Sequence, residues 1–462
     1  MQQNIVDPRQ ARVFSTFPAN VFLENITVDA SGDLYVTSLL EGIVYKVNAQ
    51  GEQQIYARID GKPAGIVCLD DDRFLLNGWD ANNIPTLFLL SAGQVRPVHQ
   101  PADAQFLNGM TALDKSSILI CDSRIGALFL YNLDQNTSRI WLTHPLLAKA
   151  DPATDKPAAN GIKVFGENVY VSNTDKKLLL RIPLTDPHTN DAQTPPRPGD
   201  PEVILNDILL DDFAIDTKGN IYAATHIHNS VIRITPQNEI TQLAGEPQGL
   251  AGSTAIAFGR TPADSYCIYV TTNGGMTLPP TGGIQNARII KLPVHIPTPS
   301  EWAGGVETFK KLTDVFYEKV LKDPILEPIF RHMPPAHAQH VAYFMTEVMQ
   351  GPKVYTETYG PDALKHMVGK HIGKRLTEAQ RKRWVELLML SADEIGLAPD
   401  PEFRSAFAAH IEWGTRVAVL ASQLTENPIT KEDHLPQWGW GEVKGPFDAV
   451  GSVFRQNPTD ID

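Results

Sequence analysis

One pattern recurs along the first two thirds of this 462-residue chain. A polar residue leads into an apolar run, an Asp/Gly turn, a second run richer in β-branched and aromatic residues, and then a third run. The pattern reads ENITVDASGDLYVTSLLEGIVYKV from Glu24, AGIVCLDDDRFLLNGWD from Ala64 and NGMTALDKSSILICDSRIGALFLYNL from Asn108. It returns as NGIKVFGENVYVSNTDKKLLLRIPL from Asn160, DDFAIDTKGNIYAATHIHNSVIRITP from Asp211 and STAIAFGRTPADSYCIYVTTNGG from Ser253, completed by ARIIKLPV. The starts are 40, 44, 52, 51 and 42 residues apart. Repeats of about 40–50 residues with four strands each are the mark of propeller blades. The SGD, TKGN and FGEN segments supply residues that tolerate positive φ where a tight hairpin needs them. A two-sheet sandwich is the alternative, but sandwiches do not repeat at a fixed period. The expectation is a six-bladed β-propeller over residues 1–297.

A propeller places the first strand of each blade on its central channel, so equivalent positions form a ring. The residues leading into those strands are Glu24 or Asn25, Ala64, Asn108, Asn160, Asp211 (with Asp212) and Ser253. Carboxylate and amide oxygens converging on an axis suit a hard cation such as Ca²⁺. The second strands return to the same face and bring Trp79, Asp122, Asn173, His226 and Asn273 to the rim. The plainer reading is that Asn-Gly and Asp-Asp are turn residues at the blade starts.

The blades resemble the gluconolactonase, senescence-marker and strictosidine-synthase group of propellers through NGMTALD, ANGIKVFGENVYVSNT and LDDFAIDTKGNIYAATH. The resemblance implies a divalent metal, usually calcium, held by Glu24, Asn160 and Asp211. It makes Asn108 a substrate or water-mediated contact, with Asp122 and His226 as further substrate contacts at the rim. In that group the metal polarises a lactone carbonyl and a carboxylate assists water. This chain departs at two places: Asn-Ile follows Glu24 where lactonases have Gly-Pro, and Asp212 follows Asp211 in place of Gly.

The net charge of −13 argues against nucleic acid or an anionic membrane as partner. No stretch approaches the ~18 apolar residues that span a bilayer, and MQQNIVDPRQ has neither the basic start nor the apolar run of a secretory signal. Cys68, Cys121 and Cys267 sit singly in apolar strand-like runs and read as free thiols in a reducing compartment. The expectation is a cytoplasmic protein with a small-molecule substrate and no membrane or nucleic-acid partner, its oligomeric state left open.

LPVHIPTPSEWAGG then breaks regular structure with three prolines, and residues 298–305 read as a short, stiff linker. Beyond it the period becomes helical. VETFKKLTDVFYEKVL carries a stripe of Val306, Phe309, Leu312, Phe316 and Val320. DPILEPIF starts with Asp-Pro, and HAQHVAYFMTEVMQGP is stopped by Gly351-Pro352. RKRWVELLMLSADEIG and PEFRSAFAAHIEWGTRVAVLASQL are longer and amphipathic. Five or so helices fit, followed by a tail, HLPQWGWGEVKGPF, read as ordered coil or a docking segment.

This last third, residues 306–462, holds seven of the 13 histidines. FYEKVLKDPILEPIF, FMTEVMQGPKVY and a histidine thirteen residues before Trp384 occur in order, and together they resemble the truncated haemoglobins of groups two and three. The resemblance implies haem b with His371 as the iron ligand, Phe330 and Val341 packing on the haem, and Lys374 and Arg375 beside Lys370 pairing with its propionates. It makes Tyr317, His337 and Trp384 the catalytic side, three donors directed at a diatomic gas or peroxide. His366 is the rival ligand, but its spacing to Trp384 is wrong. Donors around one site stabilise charge developing on a bound ligand and slow its escape, which suits oxidation or detoxification better than delivery.

Two function classes follow. The first is a haem-dependent oxidoreductase or lyase-type enzyme acting on a small organic molecule, with the propeller as scaffold or second site. The second is a metal-dependent lactone hydrolase regulated by a gas- or redox-sensing globin.

Overall fold

The computed structural model describes residues 11–70, 72–185, 195–261, 264–295, 297–399, 401–430 and 432–440. The N-terminal decapeptide read against a signal sequence and the tail beyond residue 440 lie outside them. The chain divides into two compact units, Met1–His295 and Ile296–Asp462.

The first unit is a ring of six antiparallel sheets. Blade 1 spans residues 23–58, blade 2 61–99, blade 3 107–143, blade 4 159–205, blade 5 213–244 and blade 6 253–293. Burial follows strand position. In blade 1 the second strand, Leu34–Ser38, is buried at every residue, whereas the outermost, Gln53–Arg58, is largely exposed. Residues with apolar side chains on both faces can only sit between neighbouring sheets, and blades 1 and 2 meet there through Tyr35 and Phe74, ring centroids 4.2 Å apart. Asp29, Asp114 and Asp216 each accept backbone amides two or more residues ahead, which sets the hairpins after the first strands.

Blade 6 draws its outermost strand from the other end of the unit: Arg12–Ala19 pairs antiparallel with Asn286–Pro293. The repeat pattern gives no sign of this strand, because it stands alone, outside any copy. Blade 4 is also irregular, with Arg197–Pro198 and Glu202–Leu205 both pairing to Leu178–Thr185.

At the channel each blade is tied to the next. The Thr37 hydroxyl donates to the Ala64 carbonyl (2.7 Å), the Asn77 amide to Asn108 (2.6 Å), the Ser123 hydroxyl to Ala159 (2.7 Å) and Ser172 to Asp211 (2.7 Å). The Asp212 amide donates to the Thr254 carbonyl, and the Thr254 hydroxyl closes the ring on Leu23 at 2.7 Å. This belt explains the recurring Asn-Gly. A Cβ on Gly109 or Gly161 would lie 2.3 or 2.7 Å from the carbonyl oxygen of Asn160 or Asp211 in the following blade. Neither glycine sits in a tight turn; each is needed because a neighbouring backbone passes where a side chain would be.

The second unit holds eight α-helices among the described residues: α1 Pro299–Ala303, α2 Gly305–Val320, α3 Glu327–Phe330, α4 His337–Val348, α5 Val354–Tyr359, α6 Ala363–Gly369, α7 Glu378–Glu394 and α8 Pro401–Ser422. The stretch read as a linker carries α1, started by a Thr298/Glu301 capping box and ended by Gly304 at φ 102°. The Asp-Pro start yields only the one turn of α3; the Asp323 carboxylate is used to cap the Ile325 and Leu326 amides and to pair with Arg383 at 2.7 Å. Phe309, Leu312, Phe316 and Val320 of α2 are fully buried against α4, α7 and α8. The described part of the tail packs on the same core: Trp438 is buried, its amide donates to the Val348 carbonyl, and the Trp440 indole donates to Pro297. No described helix is long and apolar enough to cross a membrane.

The belt generates a prediction. Gly109→Ala should destabilise the propeller by about 1–3 kcal/mol, the cost of overpacking against fixed backbone. Urea unfolding followed by tryptophan fluorescence measures it, and an unperturbed midpoint would show that the close approach is not a constraint.

Candidate functional site

The helical unit encloses a cavity of about 610 Å³, within the range of small-molecule and cofactor sites. Its walls are mostly apolar, with Phe330, Val341, Phe344 and Met345 among them. His371 stands in the turn just after α6, its amide on the Val368 carbonyl, and its ring faces the cavity. Its Nδ1 lies 3.1 Å from the Met367 carbonyl. A carbonyl can only accept, so Nδ1 carries the proton and the neutral ring presents the Nε2 lone pair. That is the orientation a metal-binding imidazole takes from its partner. Burial holds the His371 pKa below its usual value, against the opposing effect of the Met367 bond.

Tyr317 of α2, His337 at the start of α4 and Trp384 of α7 also line this cavity. The Tyr317 hydroxyl is 3.0 Å from His337 Nε2. Burial raises the Tyr317 pKa, with a hydrogen bond from Trp384 as the smaller, opposing cause. His337 is pushed down to about 4 by burial, helped by the neighbouring His340, His371 and Lys370. At neutral pH the three are therefore an uncharged, interlinked group. Phe330 sits between them, 5.7 Å from the Tyr317 ring and 5.9 Å from His337.

Lys370 and Lys374 line the cavity, but Arg375 is not among the lining residues; its φ of 47° and its amide bond to Ser422 make it part of a loop closure. The expectation that Arg375 meets the cofactor is corrected accordingly. His366 also lines the cavity, stacked on Tyr359 with centroids 3.9 Å apart. Sequence reasoning missed Arg381, a buried arginine on the cavity wall paired with Glu378 and Glu412. An i, i+3 pair on a helix carries no signal that it will be buried. The cavity, its oriented imidazole and its nearby ammonium groups fit a haem, which the propionates would tether.

In the propeller the structure brings Glu24, Asn160 and Asp211 together and adds His226. Asp211 accepts from the Asn160 amide at 2.8 Å on one oxygen and meets His226 Nδ1 at 2.7 Å on the other. His226 Nε2 is 2.9 Å from the Thr277 hydroxyl. Burial opposes charge on this imidazole, but Asp211 and Glu24 more than offset it and raise its pKa. Glu24 is pushed up to about 8, by burial first and then by Asp211. Asp212 pairs with Lys163 at 2.6 Å.

These donors do not fit the expected calcium site as they stand. Both Asp211 oxygens face N–H groups, Asp212 is neutralised by an ammonium, and burial holds the third carboxylate, Glu24, toward its protonated form. Asp122 is corrected as well: it is fully buried, and its oxygens accept the amides of Gln105, Phe106, Arg124 and Ile125. It holds two loops and has no lone pair left for a substrate. Asn108 is buried with its amide on the Ser123 hydroxyl at 3.2 Å. Thr277 lies in an irregular loop, where no sequence pattern pointed to it.

The depressed pKa of His337 predicts a pH dependence. Unfolded, the residue takes up a proton near pH 6.5; folded, only near pH 4. The unfolded chain binds more protons between these values, so the haem-free helical unit loses stability as pH falls through that window. His337→Gln should flatten the loss between about pH 7 and about pH 4.5, as read by urea unfolding; an unchanged slope would place the acid sensitivity elsewhere.

With this geometry in place, comparison with known proteins locates the helical unit in a family. The bacterial-like globin model matches residues 300–411. "Group 2 truncated hemoglobin YjbI" of Bacillus subtilis (strain 168) is 30% identical over 114 residues, 25% of this chain and 83% of that protein. "Putative hetero-Diels-Alderase asR5" of Sarocladium schorii is 26% identical over 321 residues, 57% of this chain and 78% of that protein. Among solved structures, a calcium-binding protein, regucalcin, from Agrobacterium tumefaciens str. C58 aligns with a TM-score of 0.47 and 20% identity, over 61% of this chain and 92% of that one. Through the unit that carries His371, the chain belongs to the truncated haemoglobins.

Proposed function

We propose that the chain is a haem-dependent enzyme in which the helical cavity holds haem on His371 and the propeller serves a small organic molecule as scaffold or second site. The observation that carries the reading is the His371 ring, with its tautomer fixed by Met367 and its Nε2 turned into a cavity that Tyr317, His337 and Trp384 share. Haem bound there would supply a redox-active iron that takes diatomic gases or peroxide as ligands. The chain's own residues do the rest. The Tyr317 hydroxyl proton is shared between His337 Nε2 and a ligand in the cavity, which Trp384 also lines. His337, uncharged at neutral pH, accepts a hydrogen bond from that hydroxyl on Nε2 without taking the proton, because burial opposes the imidazolium. Phe330, Val341 and Phe344 exclude water and so strengthen each of these hydrogen bonds.

A second reading assigns the small-molecule chemistry to the propeller alone; the asR5 relative is named a putative hetero-Diels-Alderase. The linked Asp211, His226 and Thr277 side chains favour it, since a carboxylate-oriented imidazole is suited to moving a proton on a bound substrate.

The haem reading has a direct test. Purified protein should show a Soret band that His371→Ala abolishes and added imidazole restores. Tyr317→Phe should leave the band but speed dissociation of a diatomic ligand by about 10–100-fold, the worth of one donor to a charged acceptor. A Soret band indifferent to His371→Ala would overturn the ligand assignment.

A further inference from the structure

The mouth of the propeller channel is asymmetric. The loops that follow the second strand of each blade, together with the segments that lead into the first strands, surround the Asp211–His226 pair. On blades 6, 1 and 2 these loops carry large apolar side chains open to solvent: Leu278 (53% exposed) and Ile284 (42%), Leu40 (54%), and Ile84 (44%). Half-buried Phe22, Trp79 and Phe106 continue the arc inward. Phe22 lies 6.4 Å from the His226 ring, and Trp79 packs on Phe106 at 4.7 Å. The equivalent loops of blades 3 and 4 carry Arg124 and Lys177, each paired with an aspartate.

An apolar arc of this kind on a soluble surface marks a place where something apolar sits. The Thr277 bond ties the loop that bears Leu278 and Ile284 to His226, so the arc and the polar centre are parts of one site. A sugar lactone would find nothing to hold on this side. A molecule with a hydrocarbon body and a hydroxyl or carbonyl end would bury the body on blades 6, 1 and 2 and present the oxygen to the imidazole.

We propose that the propeller mouth binds an apolar small molecule by an oxygenated end at His226 and Thr277, with Asp211 orienting the imidazole and no cation taking part. The donors favour this: Asp211 spends both oxygens on N–H partners and Asp212 is held by Lys163, which leaves Glu24 as the single buried carboxylate to face a divalent charge. Both His226 nitrogens are used, Nδ1 on Asp211 and Nε2 on Thr277. The ligand's oxygen therefore takes the place of the Thr277 hydroxyl on Nε2, and Thr277 turns to that same oxygen; Asp211 is a positioning residue. The inference rests on the reading that the propeller serves a small organic molecule, but on no particular reaction and not on the haem.

The test is calorimetric titration of the haem-loaded full chain with 2-naphthol, in EDTA and in calcium, beside glucono-δ-lactone as the polar comparison. 2-Naphthol should bind saturably and equally with and without calcium. His226→Leu should weaken it about tenfold or more, the loss of one hydrogen bond to a polar centre. The exposed double change Leu278→Ser with Ile284→Ser, which leaves the core untouched, should weaken it to a similar degree. Binding of the lactone alone, or a need for calcium, would overturn the proposed ligand class while keeping the propeller as a small-molecule site. Binding of neither compound would overturn both. 2-Naphthol binding that survives both variants would show that it sits elsewhere and would likewise overturn the proposal.

Discussion

The belt of hydrogen bonds at the propeller channel governs more of this unit than any single sheet does. Each blade start hands a carbonyl oxygen to the preceding blade, from Thr37 on Ala64 round to Thr254 on Leu23, with a side-chain donor at every joint except that of the Asp212 backbone amide on Thr254. These oxygens belong to residues that leave the strand ladder where its register shifts, as between Leu23 and Ile26 or Ala159 and Ile162. A buried carbonyl without a partner there would cost about 1–3 kcal/mol. The donors are therefore set by necessity. Glu24, Asn108 and Asn160 sit inside these shifts and Asp211 just before its strand, so the chemistry of the mouth is a by-product of how the blades are joined.

In the helical unit the comparable constraint is a carbonyl. Met367 belongs to the last turn of α6, and its carbonyl takes the Lys370 amide at 3.2 Å. Its remaining lone pair accepts from His371 Nδ1 at 3.1 Å, which fixes which ring nitrogen is bare. Across the cavity, burial does the complementary work by keeping Tyr317 and His337 neutral. A cavity lined this way stays apolar enough for a flat hydrophobic cofactor and still offers donors at one point.

The architecture was legible from the sequence because it is written in periods: a 40–52-residue repeat for the blades and helical stripes after it. What had no period was lost. The strand Arg12–Ala19 belongs to no copy, α1 hides among prolines, and Thr277 sits in a loop. Donor residues were legible as types but not as partners. Asp122 looked like a rim carboxylate and is a loop clamp; Asp211 looked like a cation ligand and faces an imidazole and an amide. The Asn-Gly steps looked like turns, yet Gly109 is small because Asn160 of the next blade needs the space. Spacing says which residues share a face; only packing says what each one has already been used for.

The strand Arg12–Ala19 also bears on how this protein is made. It precedes the other described strands of the propeller and must wait for Asn286–Pro293, more than 260 residues later, to find its partner. Pairing across such a separation is slow, since the loop must close before any contact rewards it. Until then Phe17 and its neighbours stay exposed, along with an unpaired edge on blade 6. The ring is thus sealed by two segments far apart in the chain, and the interval before they meet is when this unit is most open to aggregation.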